Sequence, residues 1–194
     1  MTHALVGKRL TYQVPLPGGQ SRLREIILYV AGRSADAPRF GKIKLHKIIW
    51  LADFTAFAER RLPVTGRAYQ RLEFGPAPVE MAPVLEELQQ DGLLSFEEVD
   101  FGDDIVEKRP IALLPPNLKR FSRDDLDFVD RSIKHYWHMT GKETSDHSHG
   151  VAWRTRKNND PMPYELAFLL DEKPEAEATK RILDLAKSKG WQSK

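Results

Sequence analysis

The chain has 194 residues, of which 41% are hydrophobic and 30% charged, with a formal net charge of +2 and no cysteine. That length fits one domain with a sizeable core. The near-balanced charge argues against a protein whose main task is coating nucleic acid, and the lack of cysteine excludes disulfides, thiol nucleophiles and cysteine-ligated zinc.

Residues 1–20 carry Pro15, Pro17, Gly18 and Gly19 with little periodicity and read as an arm or short extended segment. Ser21 is placed to cap a first helix. Leu23, Ile26, Ile27, Val30 and Ala31 recur at the spacing of a one-faced helix. Residues 32–41, with Pro38, form a turn region. Residues 42–60 predict the central helix. Leu45, Ile48, Ile49, Ala52 and Ala56 make one apolar stripe, and Ile43, Trp50, Phe54 and Phe57 a second. A helix apolar on most of its circumference belongs in the middle of a domain. Its leading lysines oppose the helix dipole, which points to an acidic neighbour.

Residues 62–66 read as a loop. The prolines of the segment from Tyr69 to Pro78 stop it from running as helix, and Pro78 suits the first turn of a helix over residues 79–90. Pro83 would delay or bend that helix, and Gly92 would end it. Residues 93–99 and 105–113 are strand-like around a turn containing Asp103 and Asp104, which predicts a β-hairpin at about 93–114. Ser122 with Asp125 predicts a capping arrangement for a helix whose inner face is Leu126, Val129, Ile133, Tyr136 and Trp137. Residues 141–150 form a polar loop or short helix. A turn at Asn158, Asn159 and Asp160 comes next, then a short apolar stretch over 164–170, then a last helix over about 174–189 with Ala178, Ile182, Leu185 and Ala186 on one face. The fold class is therefore mainly α with a small β-hairpin (α+β), a compact helical domain around a buried central helix. The chain divides into an arm over residues 1–20, a helical domain over 21–170 and a C-terminal helix in 171–194. No run reaches the ~18 apolar residues of a membrane span, and the N-terminus has no signal-peptide apolar core. A cytoplasmic location is expected.

The small net charge conceals an asymmetry. Residues 42–71 hold seven bases (Lys42, Lys44, Lys47, Arg60, Arg61, Arg67, Arg71) against Asp53 and Glu59, whereas residues 72–107 hold eleven acids and no base. The pattern reads as two opposed surfaces, which suits a protein-binding module. Glu97, Glu98, Asp103 and Asp104 of the hairpin are the candidate contacts for a basic partner.

Several chemistries compete for named residues. His135, His138, His147 and His149 lie within fifteen residues. His135 and His138 would share a helix face, and His147 and His149 could chelate beside Asp146; no fixed ligand spacing accompanies them, and no metal or other cofactor is expected. Ser148 beside His149 does not form a nucleophile elbow, and Gly18-Gly19 lacks the residues of a phosphate loop. No catalytic set remains. The order helix, helix, helix, hairpin resembles a winged helix whose Lys42–Lys47 edge would touch phosphate, but the central helix is too apolar to read a major groove.

Three blocks carry a family resemblance. The first is Lys44, Leu45, His46 and Lys47 running on to Trp50 and Asp53. The second runs from Tyr69 through Phe74, Gly75 and Pro76. The third is Thr144 to His149 followed by Trp153. In order and separation they resemble the Panacea antitoxin domain, also called SocA-like, over most of the chain. Leu72 stands where that family commonly has an aromatic, and His147 competes with His149 for the family histidine. The resemblance implies a non-enzymatic antitoxin that binds and neutralises a cognate protein toxin encoded beside it, within a homo-oligomer or larger toxin–antitoxin assembly. The alternatives it carries are a DNA-binding autorepressor and an adaptor that delivers the toxin to a protease.

Overall fold

The computed structural model describes residues 10–102 and 105–169. Helix α2 (Lys42–Arg60) runs between two apolar clusters, which explains its two stripes. Leu45, Ile48, Ile49, Ala52 and Ala56 are at most 1% exposed and face the main core. That core is completed by α1 (Gln20–Arg33), α3 (Met81–Gln90) and α4 (Arg123–Tyr136). Phe54 and Phe57 face a smaller cluster with Tyr69, Met162, Tyr164 and Leu166. Arg61, in the left-handed region at φ 61°, ends α2 by donating its N–H to the Phe57 carbonyl at 2.9 Å. The apolar positions predicted for α1 are all buried. Gly19 is its N-cap, so Ser21 lies inside the first turn and donates to the Gly18 carbonyl at 2.6 Å instead of capping.

The segment through the prolines is a hairpin, which its proline content does not predict. β1 (Tyr69–Leu72) and β2 (Gly75–Pro78) pair antiparallel, and β5 (Pro161–Met162) pairs with the other edge of β1. Val79 donates to the Ala68 carbonyl at 2.9 Å, which fixes the bonded pairs at 68/79, 70/77 and 72/75. Pro76 and Pro78 therefore occupy positions whose missing N–H would point out of the sheet, and the edge strand tolerates them. Pro78 belongs to this strand and not to a helix start. The helix begins at Met81, so Pro83 falls in the first turn, where an N–H has no intrahelical partner.

β3 (Leu94–Asp100) and β4 (Val106–Ala112) form the predicted second hairpin as a separate two-stranded sheet. Ser122 and Asp125 cap α4 reciprocally. Thr140 and Glu143 do the same for α5 (Gly141–His147), a second capping box beyond the predicted one. After α5 come a short α6 (Val151–Arg154), the turn with Asn159 at φ 67°, and a 3₁₀ turn over Tyr164–Phe168. Residues 10–16 of the arm are tied down. Val14 donates to Gly66 at 3.0 Å, and Tyr164 donates to Thr11 at 2.8 Å. The predicted C-terminal helix lies outside the described residues.

Candidate functional site

Asp53 sits on the inner face of α2, fully buried, and is held by four donors. The Thr65 N–H reaches Oδ1 at 2.6 Å, while the Thr65 hydroxyl, the Tyr69 hydroxyl at 2.8 Å and the Tyr164 hydroxyl at 3.4 Å reach Oδ2. Burial pushes the Asp53 carboxyl upward, and these hydrogen bonds pull against that. The single Tyr164 hydroxyl proton is shared with the Arg67 carbonyl, its nearer acceptor at 2.7 Å. The carboxylate thus ties α2, the loop after it, β1 and the 3₁₀ turn at one point. Phe54 packs edge-on to Tyr69 with ring centroids 5.2 Å apart, beside Tyr164. Trp50, one turn earlier, lines a cleft of about 220 Å³ with Phe54, Ser148, Ala152, Met162 and Leu166. Its indole N–H finds no partner among the described residues.

Lys44 and Lys47 are each 1% exposed. The Lys47 ammonium donates to the Pro76 carbonyl at 2.8 Å, and Lys44 donates to the Trp137 carbonyl at 3.2 Å. Burial lowers the Lys47 pKa to about 7 and the Lys44 pKa to about 8. His46, between them, is pushed down to about 3 by burial and by the two neighbouring lysines, Lys47 and Lys42. The outward carbonyl of Pro76 exists because of the strand register, so the second motif block supplies the acceptor that the first block needs.

The tip of that hairpin receives the third block. Gly75, at φ +97°, lies so close to α5 that a Cβ there would overlap the Ser148 hydroxyl and stand 2.7 Å from the Lys47 Cε. The Ser145 hydroxyl donates to the Phe74 carbonyl at 3.0 Å and lies 3.3 Å from His149 Nε2. His149 stacks on Trp153 with ring centroids 3.7 Å apart, and Trp153 donates its indole N–H to the Leu72 carbonyl at 2.7 Å. Arg71 makes a further contact with this ring, its guanidinium 3.9 Å from the Trp153 centroid. Burial, with Lys47 nearby, lowers the His149 pKa. The Phe74 side chain is 56% exposed beside this cluster. The turn therefore pins α2 and α5 together.

The structure corrects the picture of two opposed charged surfaces. Lys44 and Lys47 are buried, Arg60 pairs with Asp125, Arg67 pairs with Glu80 and Arg71 stacks on Trp153. Burial raises the Asp125 carboxyl, but Arg60, the Ser122 N–H and Arg22 together hold it below the ordinary carboxylate value. The acids of residues 72–107 are partly matched as well. Arg24 of α1 bridges Glu87 at 2.6 Å and Asp91 at 2.7 Å, and Glu107 accepts from Arg109 at 3.1 Å. On the β3–β4 hairpin, Glu97 lies opposite Arg109, and Glu98 lies opposite Lys108 with their charges 3.5 Å apart. Glu97, Glu98 and Asp100 remain exposed. Asp103 and Asp104 lie outside the described residues.

The histidines divide differently from the spacing-based expectation. α4 ends at Tyr136, so His138 lies beyond the helix and shares no face with His135. His135 instead meets His147, their Nε2 atoms 3.3 Å apart, and the Tyr136 hydroxyl lies 2.9 Å from His147 Nδ1. His149 belongs to the Trp153 stack. Among the described residues, no three His, Cys, Asp or Glu side chains gather as metal ligands.

Sequence reasoning missed Thr65 and Tyr164 as partners of Asp53, because neither lies in a motif block. Nothing local marks them; only the fold brings residues 111 positions apart into one bond. Ser145 and Ser148 stand inside a block, but their role emerges only once the hairpin tip is placed beside them.

A family model described as "Antitoxin SocA-like, Panacea domain" matches residues 45–154, more than half of the chain. The match spans all three blocks apart from Lys44. No curated protein and no solved structure matches significantly. Among the described residues, no helix is long and apolar enough to cross a membrane.

Proposed function

The chain belongs to the SocA-like, Panacea-domain antitoxin family, and on that premise we propose that it neutralises a cognate protein toxin by forming a direct stoichiometric complex in the cytoplasm. The match over residues 45–154 carries this reading. The engagement of the motif residues supports it. Lys47, Asp53, Ser145 and Trp153 each make a bond that holds one element of the fold to another. These side chains build a scaffold, and the scaffold presents a surface to a partner. The protein acts by binding and not by catalysis. A DNA-contacting role is less well supported, since Lys44 and Lys47, on which a phosphate-facing edge depends, are buried.

Co-expression tests the proposal. Induction of the neighbouring gene product should arrest growth, and this chain should restore growth and co-purify with that product at fixed stoichiometry. Persistent toxicity in the presence of this chain, or a non-toxic neighbour, overturns it.

A further inference from the structure

The β3–β4 sheet has two outer edges, and they differ. Leu113 donates to the Leu93 carbonyl at 2.9 Å, and Phe101 donates to the Ile105 carbonyl at 3.0 Å. With the register Glu97↔Arg109, these bonds fix the hydrogen-bonded pairs at odd-numbered residues, because antiparallel pairs alternate between bonded and non-bonded. The N–H and C=O groups of even-numbered residues therefore point away from the partner strand. On β4 one of these outward positions is Pro110, which has no N–H to offer. β4 also packs against α1 and α2. On β3 the outward positions are Leu94, Phe96, Glu98 and Asp100, and none is proline. Among the described residues the sheet has two strands, and no third strand lies beside β3. Among the described residues, no hydrogen bond reaches the outward amides of Phe96, Glu98 and Asp100.

Such an edge is a template for an added strand. Its charge selects the occupant. Glu97, Glu98 and Asp100 are exposed, and no base occurs between residues 72 and 107. The Glu98–Lys108 pair across the hairpin is 66% exposed at both ends, so it is weak and easily exchanged. A second copy of this chain would set the same acids against one another across the new pair, which is unfavourable.

We propose that the outer edge of β3, over Phe96 to Asp100, accepts an extended, Lys/Arg-bearing segment of the protein toxin as a third strand. The inference rests on the antitoxin reading above and deepens it by naming the docking edge.

Two variants and one measurement test it, with the toxic product of the neighbouring gene as probe. E98P removes one outward N–H and leaves the β3–β4 ladder intact, as Pro110 already does on the other strand. E98Q removes the charge and keeps the N–H. E98P should weaken the complex about tenfold, the equivalent of one lost main-chain hydrogen bond with its geometry, whereas E98Q should change it far less. In amide exchange on the wild-type protein, Phe96, Glu98 and Asp100 should exchange freely alone and become protected in the complex. This second readout decides the matter even if E98P folds poorly. A formed complex in which these three amides stay unprotected overturns the docking edge and leaves the antitoxin reading standing. Protection that grows with concentration in the free protein, together with a dimer mass, overturns it in favour of self-pairing. If the wild-type chain forms no complex with the toxin, the antitoxin reading fails and this inference fails with it.

Discussion

The Lys47 ammonium, 1% exposed, donates to the carbonyl of Pro76 at 2.8 Å. This bond joins the central helix to an edge strand through a carbonyl that the strand register leaves without a partner. The acceptor is a neutral carbonyl, so the buried charge is only partly compensated and the amine titrates near 7.

That value makes stability depend on pH. The unfolded lysine titrates near 10.4. Between about pH 7 and pH 10 the unfolded chain holds a proton that the native amine has released, so this group makes the fold more stable as pH rises. Below pH 7 both states are protonated, and the native state holds an unfavourable buried ammonium. K47M lacks this dependence and leaves the Pro76 carbonyl without its donor. The deficit of K47M relative to wild type should therefore be smallest near pH 6 and grow, on the order of 2 kcal/mol, by pH 9. Urea unfolding at the two pH values checks this. Lys44, lowered to about 8 with the same sign, is present in both proteins and cancels in the comparison.

Gly75 and Gly92 separate close approach from backbone strain. Both have positive φ, +97° and +67°. A Cβ on Gly92 meets nothing within 4 Å, whereas one on Gly75 overlaps Ser148 and presses on Lys47. G92A should cost about 1 kcal/mol, the strain alone. G75A should cost about 3 kcal/mol or more, since α5 or Lys47 must also move. F74A, at the exposed tip beside it, should stay within about 1 kcal/mol of wild type, because the Ser145 bond uses the Phe74 backbone and not its ring. Chemical unfolding of the three variants gives the ranking, and equal costs for the two glycines would remove the close-approach account.

The legible part of this fold is the part written in periodicity. The 3.6-residue repeat of Leu45, Ile48, Ile49, Ala52 and Ala56 locates α2, and the reciprocal pair Ser122 and Asp125 locates the start of α4. The family is also legible, because its three blocks lie in order along the chain. The β1–β2 hairpin is hidden because Pro76 and Pro78 argue against a strand until the register shows both facing outward. The charge pattern misleads for a related reason. One-dimensional runs say nothing of partners, and the basic run folds onto Asp125, Glu80, Trp153 and backbone carbonyls. The polar joint at Asp53 is visible only as a motif residue, since Thr65 and Tyr164 reach it through the tertiary fold.

Removing Asp53 tests whether that joint is a unit. D53A strands the two Thr65 donors and removes the nearer acceptor of the Tyr69 hydroxyl in a buried site, while Tyr164 keeps the Arg67 carbonyl, and should cost about 3 kcal/mol or more. Y164F removes one of the weaker donors to Asp53 together with the bond to the Arg67 carbonyl, and should cost about 1–2 kcal/mol. The double variant should cost less than the sum of the two, because the second substitution removes a partner already lost. A double-mutant cycle by urea unfolding measures this coupling, and strict additivity would mean that the hydrogen bonds act independently.

The exposed acids of the β3–β4 hairpin make a kinetic prediction that differs from the strand-edge one. Charges on an open surface steer encounter over distances limited by the Debye length, about 8 Å at physiological salt. Reversal of Glu97, Glu98 and Asp100 to lysine should therefore slow association with the toxin about tenfold at low ionic strength and flatten its salt dependence, with a smaller change in dissociation. Main-chain pairing at the edge acts after encounter, so E98P should raise the dissociation rate relative to E98Q, which lacks the same charge, and share its salt slope. Stopped-flow association and dissociation rates across a salt series distinguish the two effects. An association rate that the charge reversal leaves unchanged would remove the hairpin acids from the encounter.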